Sequence, residues 1–198
     1  MRSTGAIVIV VLLLVLGVAG CTGCGTYNNL VTADERVEEA WGNVETAYQR
    51  RADLIPNLVN TVQGAADFEQ ETLTQVTAAR TASREANQNF DADNLDNPEA
   101  VQAYLAAQQA VPLAINAVAE AYPELRATEA FRDLQVQLEG TENRINTARR
   151  DYNEVVRGYN TQVRSFPTNV IAGITGFDRR TPFEAEAGAE DAPEVRFD

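Results

Sequence analysis

The chain has 198 residues, enough for one domain with a buried core and tails. It carries 29 acidic and 16 basic residues, no His and, because every basic residue is an arginine, no Lys, for a net charge of -13. These absences exclude Ser-His-Asp and Cys-His nucleophile systems, HExxH zinc sites, P-loop lysines and Schiff-base lysines, and the negative charge argues against nucleic acid as a partner.

Residues 1–20 carry one charge, Arg2, followed by an apolar run from Ala6 to Gly20. A positive start before a short apolar run is the layout of a secretory signal or a hydrophobic anchor. Val18-Ala19-Gly20-Cys21 resembles a bacterial lipobox, which makes Cys21 the candidate lipidation site; an uncleaved transmembrane helix is the alternative. Both place the rest of the chain on the outer face of a bacterial membrane, since Arg2 favours a cytoplasmic start. Cys21 and Cys24 form a C-x-x-C, but outside the βαβ context in which that spacing suggests redox chemistry. Residues 21–31 read as a tether.

From Val37 onward, Ala40, Trp41, Val44, Tyr48 and Arg51 recur at three- and four-residue steps, the spacing of one helical face. Ile55, Leu58, Val59, Val62, Ala65, Ala66, Leu73 and Val76 do the same. Between the two runs, Asp53 is a good N-cap and Pro56 fits a first turn, so the spacing predicts two helices meeting here; one helix kinked at Pro56 is the rival. Asn97-Pro98 predicts a third helix over 99–121, with Pro112 inside it to kink or split it. The fourth is predicted to open at Pro123 and reach Ser165, with a stripe through Phe131, Leu134, Leu138, Ile145, Tyr152, Val156 and Tyr159. Residues 167–183 are an apolar extension expected to lie along the bundle. Residues 184–198, with six acidic residues against one arginine, read as a disordered acidic tail.

Arg50-Arg51-Ala52-Asp53-Leu54-Ile55-Pro56-Asn57-Leu58-Val59 resembles the signature of the LemA family. The resemblance extends through Tyr122-Pro123-Glu124-Leu125, Ala148-Arg149-Arg150-Asp151-Tyr152-Asn153, Tyr159-Asn160 and Phe166-Pro167, covering about Tyr27 to Phe183. It implies an N-terminal membrane anchor, a helical bundle and no established biochemical activity. Arg50, Arg51, Asp53, Leu54, Ile55, Pro56 and Asn57 are the motif positions to follow.

Four charged residues fall in register with the apolar stripes: Glu69, Arg80, Glu142 and Arg149. Buried charges need partners, so these are expected either to pair across facing helices and fix their register or to reach water from the stripe edge. Arg50-Arg51 beside Asp53 reads as an anion clamp or as charges complementing two helix ends. Together these readings predict an all-α antiparallel four-helix bundle of long helices over 32–166, held by an N-terminal membrane anchor. Its expected role is a non-enzymatic scaffold or adaptor of the cell envelope, needing no cofactor and engaging the membrane and a protein partner. The alternatives are a carboxylate-based metal-binding protein or hydrolase, and a structural protein that self-associates as a homo-oligomer.

The acidic, lysine-free composition suggests adaptation to high salt, with codon bias as the plain alternative. Screening lengths fall from about 10 Å at 0.1 M salt to about 3 Å at 1 M, which relieves self-repulsion of the compact state. The melting temperature should therefore rise with NaCl into the molar range, and deletion of 184–198 should leave most of that rise in place. A flat melting temperature would remove the case for a halophilic protein.

Overall fold

The computed structural model describes residues 2–63, 70–124 and 128–183. Among the described residues five α-helices follow one another: α1 (Arg2–Gln63), α2 (Gln70–Asn89), α3 (Pro98–Ala121), α4 (Glu129–Arg164) and α5 (Thr168–Thr175), with a 3-10 turn over Ala92–Asp96 before α3. The fold is an all-α bundle of these five helices, and the expected four-helix description is corrected accordingly. Cross-helix pairs fix the directions: Trp41 and Arg51 of α1 meet Tyr152 and Glu142 of α4, so these helices are antiparallel. Asn87 and Ser83 of α2 meet Tyr104 and Gln108 of α3 in the same sense.

The predicted joint at Pro56 is absent, since α1 runs through it to Gln63. Pro56 removes one backbone donor and crowds the preceding turn, a cost of about 3 kcal/mol in a helix interior. Ala52, Ile55 and Leu58 around it are all fully buried, and their packing offsets that cost. Asp53 therefore caps nothing; it accepts a hydrogen bond from Gln49 one turn earlier at 2.9 Å. Residues 64–69, between α1 and α2, lie outside the described residues, as do the side chains of Val62, Ala65, Ala66 and Leu73 from the second predicted stripe.

Helix α1 also continues through residues 21–31, where a tether is expected. Among the described residues no helix is long and apolar enough to cross a membrane. This overturns the expected membrane anchor, the membrane as partner and the location on the outer face of a bacterial membrane. The side chain of Cys21 lies outside the described residues, and residues 184–198 do as well.

Local chemistry sets the other boundaries. Asn97 caps α3, its side-chain oxygen accepting from the Glu99 and Ala100 amides at 3.0 and 3.3 Å, with Pro98 in the first turn. Helix α4 starts at Glu129 rather than near Pro123, capped by the Thr128 hydroxyl at 3.3 Å from the Phe131 amide. Gly176 closes α5 in a left-handed conformation that only glycine adopts without strain.

Two apolar clusters fill the bundle. One surrounds Trp41, whose ring meets Phe90, Tyr104, Tyr152 and Phe183 at centroid distances of 4.8 to 5.8 Å. The other gathers Ile55, Leu58, Val76, Val111, Val118, Phe131 and Leu134. The stripes predicted on α1 and α4 are consumed here. Large apolar side chains that remain exposed include Leu113 on α3, Val136 on α4, Phe166 just after α4, and Val170 and Ile174 on α5. Neither the expected homo-oligomer nor the expected protein partner finds support.

Burial pushes the Tyr159 phenol up to about 12, with the Asp34 carboxylate adding to the shift, and raises Tyr104 and Tyr152 further. The unfolded chain ionises these phenols near the ordinary value of about 10. Above that pH the unfolded state binds fewer protons than the folded one, so stability falls as pH rises. Urea midpoints should be level from pH 8 to 9.5 or so and then decline toward pH 12. Tyr159→Phe should make the decline shallower, and an unchanged midpoint through pH 11.5 or so would contradict the burial of these phenols.

Candidate functional site

The two apolar clusters are separated by a polar layer at one level of the bundle. Its centre is Arg51 of α1, 3% exposed, on the same helical face as Tyr48 below it and Ile55 above it. One guanidinium nitrogen (Nη1) donates to Glu142 Oε1 of α4 at 2.9 Å. The other (Nη2) donates to the backbone carbonyl of Gln108 on α3 and, at 3.4 Å, to the Gln108 side-chain oxygen. The planar group also lies over the Tyr48 ring, 5.0 Å from its centroid.

The bond to the Gln108 carbonyl has a cause in the sequence. In an α-helix that carbonyl accepts from the amide four residues on, and here that residue is Pro112, which has none. Helix α3 nevertheless runs unbroken through Pro112, and Arg51 supplies the missing donor from a neighbouring helix.

Gln108, 1% exposed, carries the layer on to α2. Its side-chain oxygen accepts from the Ser83 hydroxyl at 2.7 Å. Its amide nitrogen donates to the Ser83 carbonyl at 3.1 Å and to Asn87 Oδ1 at 2.7 Å. Asn87 Oδ1 also accepts from the Tyr104 hydroxyl at 2.9 Å. Every polar atom of the Gln108 side chain is thereby used, the condition under which a buried amide is tolerated. Ser83, Asn87 and Gln108 escape a reading that follows apolar residues alone. The available signal was that each interrupts an apolar register, Val76-Ala79-Ser83 on α2 and Val101-Tyr104-Gln108-Val111 on α3.

The remaining predicted residues fall as follows. Of the family motif, Arg51 and Ile55 are buried, Leu54 and Pro56 half-buried, and Arg50, Asp53 and Asn57 exposed. Because α1 is continuous, no helix end adjoins Arg50 and Arg51, and one guanidinium points inward while the other is exposed. Glu142 meets Arg51 rather than Arg80; Glu69 lies outside the described residues. Arg80 is half-buried on α2, with its Nε unpartnered among the described residues. Arg149 is set over the Phe183 ring at 5.1 Å. Cys24 is exposed and free.

Beside the polar layer a cleft of about 790 Å³ opens between α1, α3 and α4, lined by Arg51, Gln108, Glu142, Asn146, Arg149, Arg150, Asn153 and Phe183 among others. Its carboxylate is already spent on Arg51, and the Ser83 hydroxyl nearby donates to a carboxamide, not to a base. Among the described residues no three His, Cys, Asp or Glu side chains are placed to hold a metal ion. That overturns the carboxylate-based metal-binding or hydrolase alternative. Two of the partly buried acidic side chains, Glu142 and Asp34, are each matched to an arginine.

Removing Arg51 should expose the defect at Pro112. A buried carbonyl left without a donor costs about 1 to 3 kcal/mol, and Glu142, being half-exposed, turns to water. Arg51→Met should therefore lose about 1 to 3 kcal/mol in urea melts, and lose clearly less in a Pro112→Ala background, where a backbone amide is restored. Equal losses in both backgrounds would mean that the carbonyl is not what Arg51 serves.

The model of the LemA family matches residues 40–197, which contain the whole of this layer and the cleft. Magnetosome protein MamQ 2 of Paramagnetospirillum magneticum is 30% identical over 184 residues, covering 84% of this chain and 67% of that one. MamQ 1 of the same organism matches to the same extent. Protein LemA of Metamycoplasma hominis is 24% identical over 160 residues, 81% of this chain and 69% of its own. On the extent of the family match, this chain belongs to the LemA family.

Proposed function

We propose that the protein is a non-catalytic helical scaffold of the LemA family. The observation that carries this reading is the fate of its interior polar groups. Arg51, Glu142, Gln108, Ser83, Asn87 and Tyr104, the residue types from which a site would be assembled, are joined to one another across four helices. They hold the relative position of α1, α2, α3 and α4 and leave no pair of groups poised to exchange a proton with a substrate. The MamQ relatives are named after the magnetosome and not after a reaction, which supports the same reading.

A scaffold depends on its frame, whereas an enzyme depends on particular atoms. In a strain lacking the protein, variants should restore the phenotype in proportion to the fraction folded. Glu142→Gln, Asn146→Ala and Gln109→Ala that keep the parental melting temperature should complement fully. Destabilised Arg51→Met should fail at temperatures where it unfolds and recover below them. A single folded, full-length variant of these cleft residues that abolishes complementation would replace the scaffold reading with a chemical one.

A further inference from the structure

The segment after α5 lies against α1, α4 and the 3-10 turn without secondary structure of its own. The backbone groups of Arg180, Thr181 and Phe183 are nonetheless all bonded, and each bond goes to another element. Asn160 of α4 clasps Arg180 with both ends of its side chain, Nδ2 donating to the carbonyl at 2.8 Å and Oδ1 accepting from the amide at 2.9 Å. Asn153 does the same to Phe183, at 2.9 Å to the carbonyl and 2.7 Å from the amide. The Thr181 amide donates to the Leu95 carbonyl of the 3-10 turn at 2.7 Å, and the Thr181 carbonyl accepts from the Tyr152 hydroxyl at 2.9 Å. Among the described residues no backbone hydrogen bond joins two residues of 178–183. A segment with no bonds of its own keeps its shape only while these outside ties hold it, so the ties form and break together.

Charge adds one more tie. The Arg180 guanidinium donates to both oxygens of Asp34 on α1, from Nε at 3.0 Å and from Nη2 at 3.1 Å. Its neighbourhood is acidic: partial burial, and then the Asp34 and Glu35 charges, push the Glu38 carboxyl above its ordinary value, with Arg180 working against them. The counter-charge of this part of α1 thus rides on the segment.

What the segment covers is the Trp41 cluster. Phe183 stacks on Trp41 with ring centroids 5.8 Å apart and meets Tyr152 at 4.9 Å. Phe90, Tyr104 and Tyr152 also pack on Trp41, so withdrawal of Phe183 leaves the helices joined. Phe183 lines the cleft beside Arg51 as well, and without it the cleft reaches Trp41. We propose that residues 177–183 are a strap that opens and closes as one unit over the Trp41 cluster while the helices stay folded, with the Asp34–Arg180 pair as its catch. Gly176, with a φ of 80° and nothing within 4 Å of where a Cβ would stand, is the pivot. The device sets the length of the cleft, short when the strap is closed and extended when it is open.

Native-state amide hydrogen exchange on the full chain tests this. Corrected for intrinsic rates, the Arg180, Thr181 and Phe183 amides should share one protection factor to within about threefold, at least about tenfold below those of Val44 and Val156 in the helices. Asp34→Asn, or Arg180→Gln from the other side of the pair, should lower all three together by about tenfold and leave Val44 and Val156 within about twofold. Three unrelated protection factors in the unmodified protein, or a loss confined to residue 180, would mean that the ties break singly and overturns the proposal. Strap amides as protected as the helices, or a loss that spreads equally to Val44 and Val156 in both variants, would mean that strap and bundle unfold as one and overturns it equally.

Discussion

Everything in this bundle is arranged around one buried guanidinium. A proline in the middle of α3 strips the Gln108 carbonyl of its own donor, and that carbonyl lies in the interior where water cannot serve it. Arg51 reaches it from α1 and spends its second nitrogen on Glu142 of α4. The defect of one helix thus becomes the joint of three. An arginine suits this role because its planar group offers several donors in fixed directions and keeps its charge when buried.

The layer that Arg51 begins interrupts an otherwise apolar core, and apolar packing of the same volume is in general at least as stabilising as buried polar groups. What such a layer supplies is register. Sliding α3 by one turn past α1 or α2 would leave Gln108, Ser83, Asn87 and Tyr104 without partners in a dry environment, at a cost for each. Apolar stripes alone tolerate such slips far better, since one Leu or Val contact resembles another. The two clusters on either side supply cohesion, and the layer between them selects a single alignment.

The segment after α5 is held by similar means. Arg180 pairs bidentately with Asp34 of α1 at 3.0 and 3.1 Å, while Asn160 clasps its backbone from α4. The Tyr152 hydroxyl donates to the Thr181 carbonyl, and Phe183 closes the Trp41 cluster from outside. A stretch with no secondary structure of its own is thereby made part of the core. Side chains on α4 satisfy backbone groups that a helix or sheet would otherwise have satisfied.

The helices were legible in the sequence because apolar periodicity is a local property, and residues such as Val37, Trp41, Val44, Phe131, Ile145 and Tyr152 announce which face turns inward whatever they meet there. Caps such as Asn97-Pro98 were legible for the same reason, as was family membership from the run at 50–59. The fate of the two prolines was not, because local rules give only the cost of Pro56 and Pro112, while the compensation comes from Ile55 and Leu58 packing in one case and from Arg51 in the other. Nor could the sequence say that Glu142 finds Arg51, ninety-one positions away, rather than Arg80. Pairing of that kind is decided by which helix faces which. Composition and periodicity determined that this chain is a helical bundle without histidine or lysine; only the tertiary structure decided which polar residues lie between its two cores, because a buried donor or acceptor is satisfied by neighbours in space and not by neighbours in the chain.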